Sequence, residues 1–169
     1  MNTERKLSLL LSFLGLLSLQ AFTQTPTPAE STRGNFESIN RKVLAMAKDF
    51  PEDKYDFKLR PEMRTFGELI VHIAGGNFYA AKAGRGEKVD WTDLDPKNYK
   101  TKAEIVAVME KSIADADATL KALPDASFTK TVEPWAEVTE HSGEHYGLLV
   151  AYYRVNGLVP PESRPKSAK

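Results

Sequence analysis

Two Thr-x-x-Glu boxes, Thr65-Phe66-Gly67-Glu68 and Thr101-Lys102-Ala103-Glu104, each stand at the head of a run of apolar residues at helical spacing. In such a box the threonine side chain accepts from the backbone N–H three residues on, and the glutamate reaches back to the threonine's own N–H, so two orphan donors at a helix start are satisfied together. Behind the first box, Leu69, Ile70, Ile73, Asn77 and Ala80 share one face, and Gly84 or Gly86 supplies the stop. Behind the second, Ile105, Val108, Met109, Ile113, Ala116 and Leu120 form a stripe that runs to about Leu123, before Pro124. The same spacing predicts a helix from about Arg33 to Lys48 through Phe36, Ile39, Val43, Leu44 and Ala47. It predicts another from about Glu137 to Asn156, ended by Gly157 and Pro160-Pro161. Prolines and mixed charge make the stretch from Phe50 to Pro61 an irregular connection. Only Ser127 to Val132 resembles a strand, and no repeat of solenoid period is present. The fold class is therefore all-α, a four-helix bundle. The link from Glu87 to Lys100, with Trp91 and Pro96 in it, is long enough to cross the bundle, so simple up-down-up-down order does not follow.

Composition bounds the function. With 41% hydrophobic and 27% charged residues among 169, there is material for one cored domain. Formal net charge is zero, which argues against a nucleic-acid surface. Cysteine is absent, so disulfides, thiolate ligands, a cysteine nucleophile and a lipoprotein anchor are all excluded, and any metal must be held by nitrogen and oxygen. Arg5 and Lys6 precede the apolar run Leu7 to Leu19, the pattern of a secretory signal, too short to span a bilayer comfortably. Residues 1–24 are read as that signal, cut near Ala21 to Gln24, with an uncleaved anchor or a buried helix as the alternative. Export, periplasmic or extracellular, follows, with no stable membrane span after cleavage. Thr25-Pro26-Thr27-Pro28-Ala29 reads as an extended segment, because each proline disfavours helix in the residue before it. Residues 25–34 are thus a linker, 35–161 the bundle and 162–169 a tail.

The chain has three histidines: His72, and the pair His141 and His145. Positions i and i+4 on a helix lie one above the other, so both imidazoles of the pair can reach one point. Their stripe continues as Leu148, Tyr152 and Val155, which turns them toward the core. A buried imidazole without partners costs about 1–3 kcal/mol per unsatisfied group, and a shared metal would satisfy both. His72 lies about 60° round from Leu69 at roughly 100° per residue, so it can look toward a neighbouring helix. The three together make a three-nitrogen metal site with open positions. Core hydrogen bonding is the plainer alternative. The motif differs from the His-Glu-x-x-His of zinc peptidases, because Ser142 follows His141.

The run from His141 through Tyr152-Tyr153-Arg154-Val155-Asn156-Gly157 to Pro160-Pro161 resembles the C-terminal signature of the DinB/YfiT-like family of metal-binding four-helix proteins. Phe50-Pro51-Glu52-Asp53-Lys54-Tyr55, then Arg64-Thr65-Phe66-Gly67-Glu68-Leu69, then His72 and Asn77, resemble its N-terminal half in the same order. The likeness covers about residues 35–161. It implies an up-down-down-up bundle, often a homodimer, in which His72, His141 and His145 bind one divalent metal with water completing the set.

Three neutral imidazoles suit Zn²⁺, Ni²⁺ or Fe²⁺ alike. Glu144 is a candidate acceptor for an imidazole N–H or a general base, with a solvated surface carboxylate as the alternative. Asn77 and Tyr152 are candidates to line a substrate pocket together with Tyr146, and Arg154 or Arg64 to hold an anionic substrate. Three functions stay open. One is a metal-dependent hydrolase or transferase of a small molecule, as in the thiol-dependent transferases the family resembles; export favours hydrolysis over chemistry that needs a cytoplasmic thiol. Another is a non-catalytic bundle that binds a metal or small ligand. In the last, histidines merely tie helix two to helix four.

Overall fold

The computed structural model describes residues 25–128 and 130–165, so the expected signal segment lies outside the described residues. Helix α1 spans Pro28–Asp49, α2 Phe66–Gly84, α3 Lys102–Ala122, α4 the single turn Asp125–Phe128, and α5 Val132–Val155. No strand occurs among the described residues. The strand-like stretch before Val132 instead holds α4, where the Phe128 N–H donates to Pro124 O at 3.1 Å and the ring is buried.

Both predicted capping boxes form, at Thr65 and Thr101. A third was hidden in the proline-rich segment. Thr27 caps α1 in the same reciprocal way with Glu30, and Pro28 takes the first helical position, where its missing N–H costs nothing. Extended backbone therefore stops at Thr27, and α1 begins five residues ahead of Arg33. Helix α5 likewise starts at Val132 rather than Glu137, with Pro134 in the first turn, where no intrahelical N–H bond is required. Gly86 (φ 81) and Gly157 (φ 71) close α2 and α5. Past each, paired bonds return to the last turn: Gly86 to Ala83 O and Glu87 to Lys82 O, Gly157 to Arg154 O and Leu158 to Tyr153 O. The folded chain also continues beyond 161. Arg164 reaches back to Asp49 (Nη1–Oδ1 2.8 Å) and Glu162 to Arg41 (2.6 Å).

Side-chain contacts at the helix ends give the topology. A Cβ on Gly67 would sit 2.9 Å from Ile105, and at the far end Arg85 bonds Asp115 at 3.1 Å, so α2 and α3 run parallel. Trp135 packs on Gly84, while Tyr152 packs edge-on against Phe66 at 5.9 Å, so α5 runs antiparallel to α2. Phe36 meets Trp135 at 6.0 Å, and Tyr153 donates to Met46 O at 2.8 Å, so α1 parallels α5. The bundle is up-down-down-up.

Its core has two apolar halves. One is built on Phe50, Phe66 and Tyr153, with the first two stacked at 3.8 Å; the other is built on Phe36, Trp135, Ala80 and Leu120. Between them each long helix contributes one wholly buried polar side chain: Asn40, Asn77, Ser112 and Ser142. The Asn77 amide donates to Asn40 Oδ1 at 3.0 Å and to Ser112 Oγ at 3.2 Å, while Asn40 and Ser112 donate to Phe36 O and Met109 O in their own helices.

Two outcomes test this packing. Alanine is the better helix former, yet Gly84→Ala will lower stability by about 1–3 kcal/mol, because a Cβ there lands 2.5 Å from Trp135 Cζ2, a ring with no room to retreat; a lower urea midpoint at unchanged m-value is the readout. Hydrogen bonding from Arg164, against the upward push of burial, and the Tyr153 hydroxyl hold the Asp49 carboxyl below its usual 3.8. Its contribution is then fully present above that pH and fades as pH falls through the depressed value. With both partners partly exposed, the gap between wild type and Asp49→Asn should stay within about 1 kcal/mol at pH 7 and shrink steadily as the solution is acidified below 3.8.

Candidate metal centre

Halfway along the antiparallel α2–α5 contact, His72 faces His141 and His145. One ring nitrogen from each lies within 4.8 Å of the other two, and His72 Nε2 is 2.9 Å from His141 Nε2. A Zn–N bond of about 2.0–2.1 Å sets tetrahedral nitrogens about 3.4 Å apart, a spacing this cluster reaches with small side-chain adjustments. The three rings meet pairwise edge-to-face, with centroids 4.4 to 4.8 Å apart.

The α2–α3 link completes the setting. Asp93 Oδ1 lies 2.7 Å from His72 Nδ1, and its other oxygen accepts from Arg64 Nη2 at 2.9 Å. Burial by itself would raise the Asp93 pKa, but the hydrogen bonds from His72 and Arg64 and the Arg64 charge outweigh it and hold the carboxyl below its usual range. An ionised carboxylate only accepts, so His72 Nδ1 is the donor, and the neutral ring in that tautomer offers the Nε2 lone pair to the cluster. The adjacent Trp91 stands edge-on to His141 at 4.7 Å and packs against Tyr79 at 4.9 Å. Gly76 makes room for this arrangement: a Cβ there would fall 2.8 Å from Trp91 and 3.1 Å from His141 Nδ1.

Burial is the main reason the His141 pKa falls to about 3, with the neighbouring His145 and His72 adding to it. Burial likewise lowers His145 to about 4, assisted by His72 and Arg64. Both rings are neutral near pH 7, the form in which imidazole ligates a metal. The donor set fits a cation in a second way. Two imidazole nitrogens, His72 Nε2 and His141 Nε2, face each other at 2.9 Å, a contact that a cation held by both lone pairs would satisfy in place of a shared proton.

His145 also borders an open cleft of about 560 Å³, walled by Met63, Arg64, Leu69, Leu148 and Tyr152 with Glu62 at its edge. A separate cavity of about 410 Å³, between the N-termini of α2 and α3, touches no histidine.

The other expected site residues divide. Tyr152 does line the cleft, though its hydroxyl is committed to Arg64 O. Asn77 is not in the cleft; it belongs to the buried polar layer. Arg154 is exposed and not part of the cleft wall, which uses Arg64 instead. Glu144 is exposed and makes no hydrogen bond or ion pair among the described residues; the acceptor behind an imidazole is Asp93. Asp93 escaped the sequence reading because it sits in an irregular link with no periodicity to set its direction. The nearby Trp91, a large aromatic in a polar link, was the available sign that this stretch packs on something.

Among known proteins, residues 35–153 match the family model of the DinB superfamily. None of the curated proteins matches the chain.

A carboxylate holding a ligating histidine from behind commonly contributes a factor of about 10–100 in metal affinity. Asp93→Asn should therefore weaken Zn²⁺ binding by about that factor, read by competition with a chromophoric chelator, while the circular dichroism spectrum stays helical.

Proposed function

The chain belongs to the DinB superfamily, and we propose that it is a metalloprotein that holds one divalent ion between His72, His141 and His145 and acts on a small molecule in the adjoining cleft, as a hydrolase or transferase. The observation that carries this reading is the convergence of three imidazole nitrogens within 4.8 Å, one of them fixed from behind by Asp93. A divalent ion held there would supply Lewis acidity toward a water, thiol or carbonyl ligand. Zn²⁺, Ni²⁺ and Fe²⁺ all suit the donor set.

The chain's own residues do the rest. Asp93 fixes the tautomer and aim of His72. Burial keeps His141 and His145 free of protons. Leu69, Leu148 and the Tyr152 ring give the cleft apolar walls. One observation favours a second reading, a non-catalytic holder of a metal or small ligand: Asp93, the carboxylate beside the trio, is engaged by His72 and Arg64 and the Tyr152 hydroxyl by a backbone carbonyl, which leaves Glu62 as the free acid of the cleft lining.

The proposal also places the protein outside the cytoplasm, on the strength of Arg5, Lys6 and the apolar run after them. From the family likeness it takes the protein to be a homodimer. No helix among the described residues is long and apolar enough to cross a membrane.

Elemental mass spectrometry of the purified protein should find about one metal per chain, as expected when three protein ligands form a single site. His145→Ala should remove it while the helical content is retained. Absence of metal from the wild type after supplementation with Zn²⁺, Ni²⁺ and Fe²⁺ would leave the histidines as core hydrogen-bonders and end the enzyme reading.

A further inference from the structure

We propose that the cleft beside the histidines selects a carboxylate carried on a short aliphatic body, with Arg64 gripping the anionic end. This deepens the metal-centre reading and rests on it. Arg64 borders the same cleft as His145, and its side chain is 47% exposed. A guanidinium has five N–H donors in a planar fork. Only one amino group of Arg64 is engaged, on Asp93 at 2.9 Å, so a bidentate face remains for an incoming carboxylate.

The ion pair also fixes where that face stands. Asp93 is tied to His72 on one side and Arg64 on the other, so the guanidinium is held beside the metal ligands rather than swinging in solvent. Three neutral imidazoles do not offset the charge of a divalent ion, so with Arg64 present the field in the cleft favours an anion. Glu62, at the edge, is the one uncommitted acid of the lining and cannot balance both. The remaining surface is apolar: Leu69, Leu148, Met63 and the Tyr152 ring, whose hydroxyl is already spent on Arg64 O. Such a wall favours a hydrocarbon body over a sugar or a nucleoside, which would leave its hydroxyls unpaired there.

Hexanoate is a suitable probe, with hexanamide (same body, no charge) and acetate (charge, no body) as controls. Each is titrated calorimetrically into zinc-loaded and metal-stripped protein, with metal content measured on every sample. Hexanoate should bind the loaded protein at least about tenfold more tightly than either control, and Arg64→Gln should lose about tenfold toward hexanoate while leaving hexanamide unchanged. Because Arg64 also touches Asp93, Leu148→Glu provides a check that leaves that chain intact. A carboxylate placed in the cleft should abolish hexanoate binding while metal content stays at the wild-type level. Equal affinity for hexanoate and hexanamide, undiminished hexanoate binding by Arg64→Gln, or retained binding by Leu148→Glu would each overturn the proposal. Failure of the wild type to take up metal overturns the metal centre instead. The cleft is then judged by whether hexanoate binding to the unloaded protein depends on Arg64.

Discussion

Everything at the centre depends on how α5 is registered against α2. At one end Trp135 lies in the space left by Gly84, and at the other Tyr152 packs edge-on against Phe66 and donates to Arg64 O. These two contacts pin the helices along their length, and between them His72 can only meet His141 and His145. A shift of α5 by one residue would rotate its faces by about 100° and carry both imidazoles away from α2. The buried polar layer reinforces the same register. Asn77 must find Asn40 and Ser112 at one level, and a slipped packing would set its amide against apolar side chains, at a cost of about 1–3 kcal/mol for each group left unpaired.

The parallel run of α2 and α3 then explains why the link contributes to the site at all. The chain leaves α2 at one end of the bundle and must enter α3 at the other, so residues 85–101 travel back along the whole length of α2. A 19-residue helix is about 28 Å long, a distance no tight turn can cover. A crossover of that length passes the middle of α2, and there Trp91 and Asp93 come down on His141 and His72. The carboxylate behind the histidine is in this sense a product of topology. An up-down-up-down bundle with a short turn after α2 would have no chain at that point.

How far the sequence could be read follows from which forces were local. Capping at Thr65 and Thr101 is settled within four residues, and both boxes form as their spacing implies. The histidine trio was legible for the same reason on α5, where His141 and His145 are one turn apart, and on α2 through the flank position of His72. Thr27 was obscured because Pro26 and Pro28 favour extended backbone locally, yet Pro28 is also well suited to a first helical position, and the Glu30 side chain decides between the two. The early start of α5 depends on Trp135 and Val138 entering the core from a turn that contains Pro134, a tertiary effect no window shows. Asn77 shares a helix face with apolar residues, which fits a pocket wall and a buried polar layer equally; only the presence of Asn40 and Ser112 on neighbouring helices separates them.

Charge accounts for the chemistry such a centre can host. The three ring nitrogens bring no negative charge of their own. Asp93 is the only carboxylate in contact with the trio among the described residues, and it acts through a ring, divided between His72 and Arg64. A cation held there would keep most of its positive field, and because His141 and His145 are half-buried, that field would be weakly screened on the protein side. The cleft at His145 is where the field meets open space, and Arg64 adds to it from the wall. Carboxylate ligands would offset much of the charge of such an ion. Three imidazoles would leave it more electrophilic, and Arg64, in the turn just before the helix that carries His72, would add to its pull on an anion.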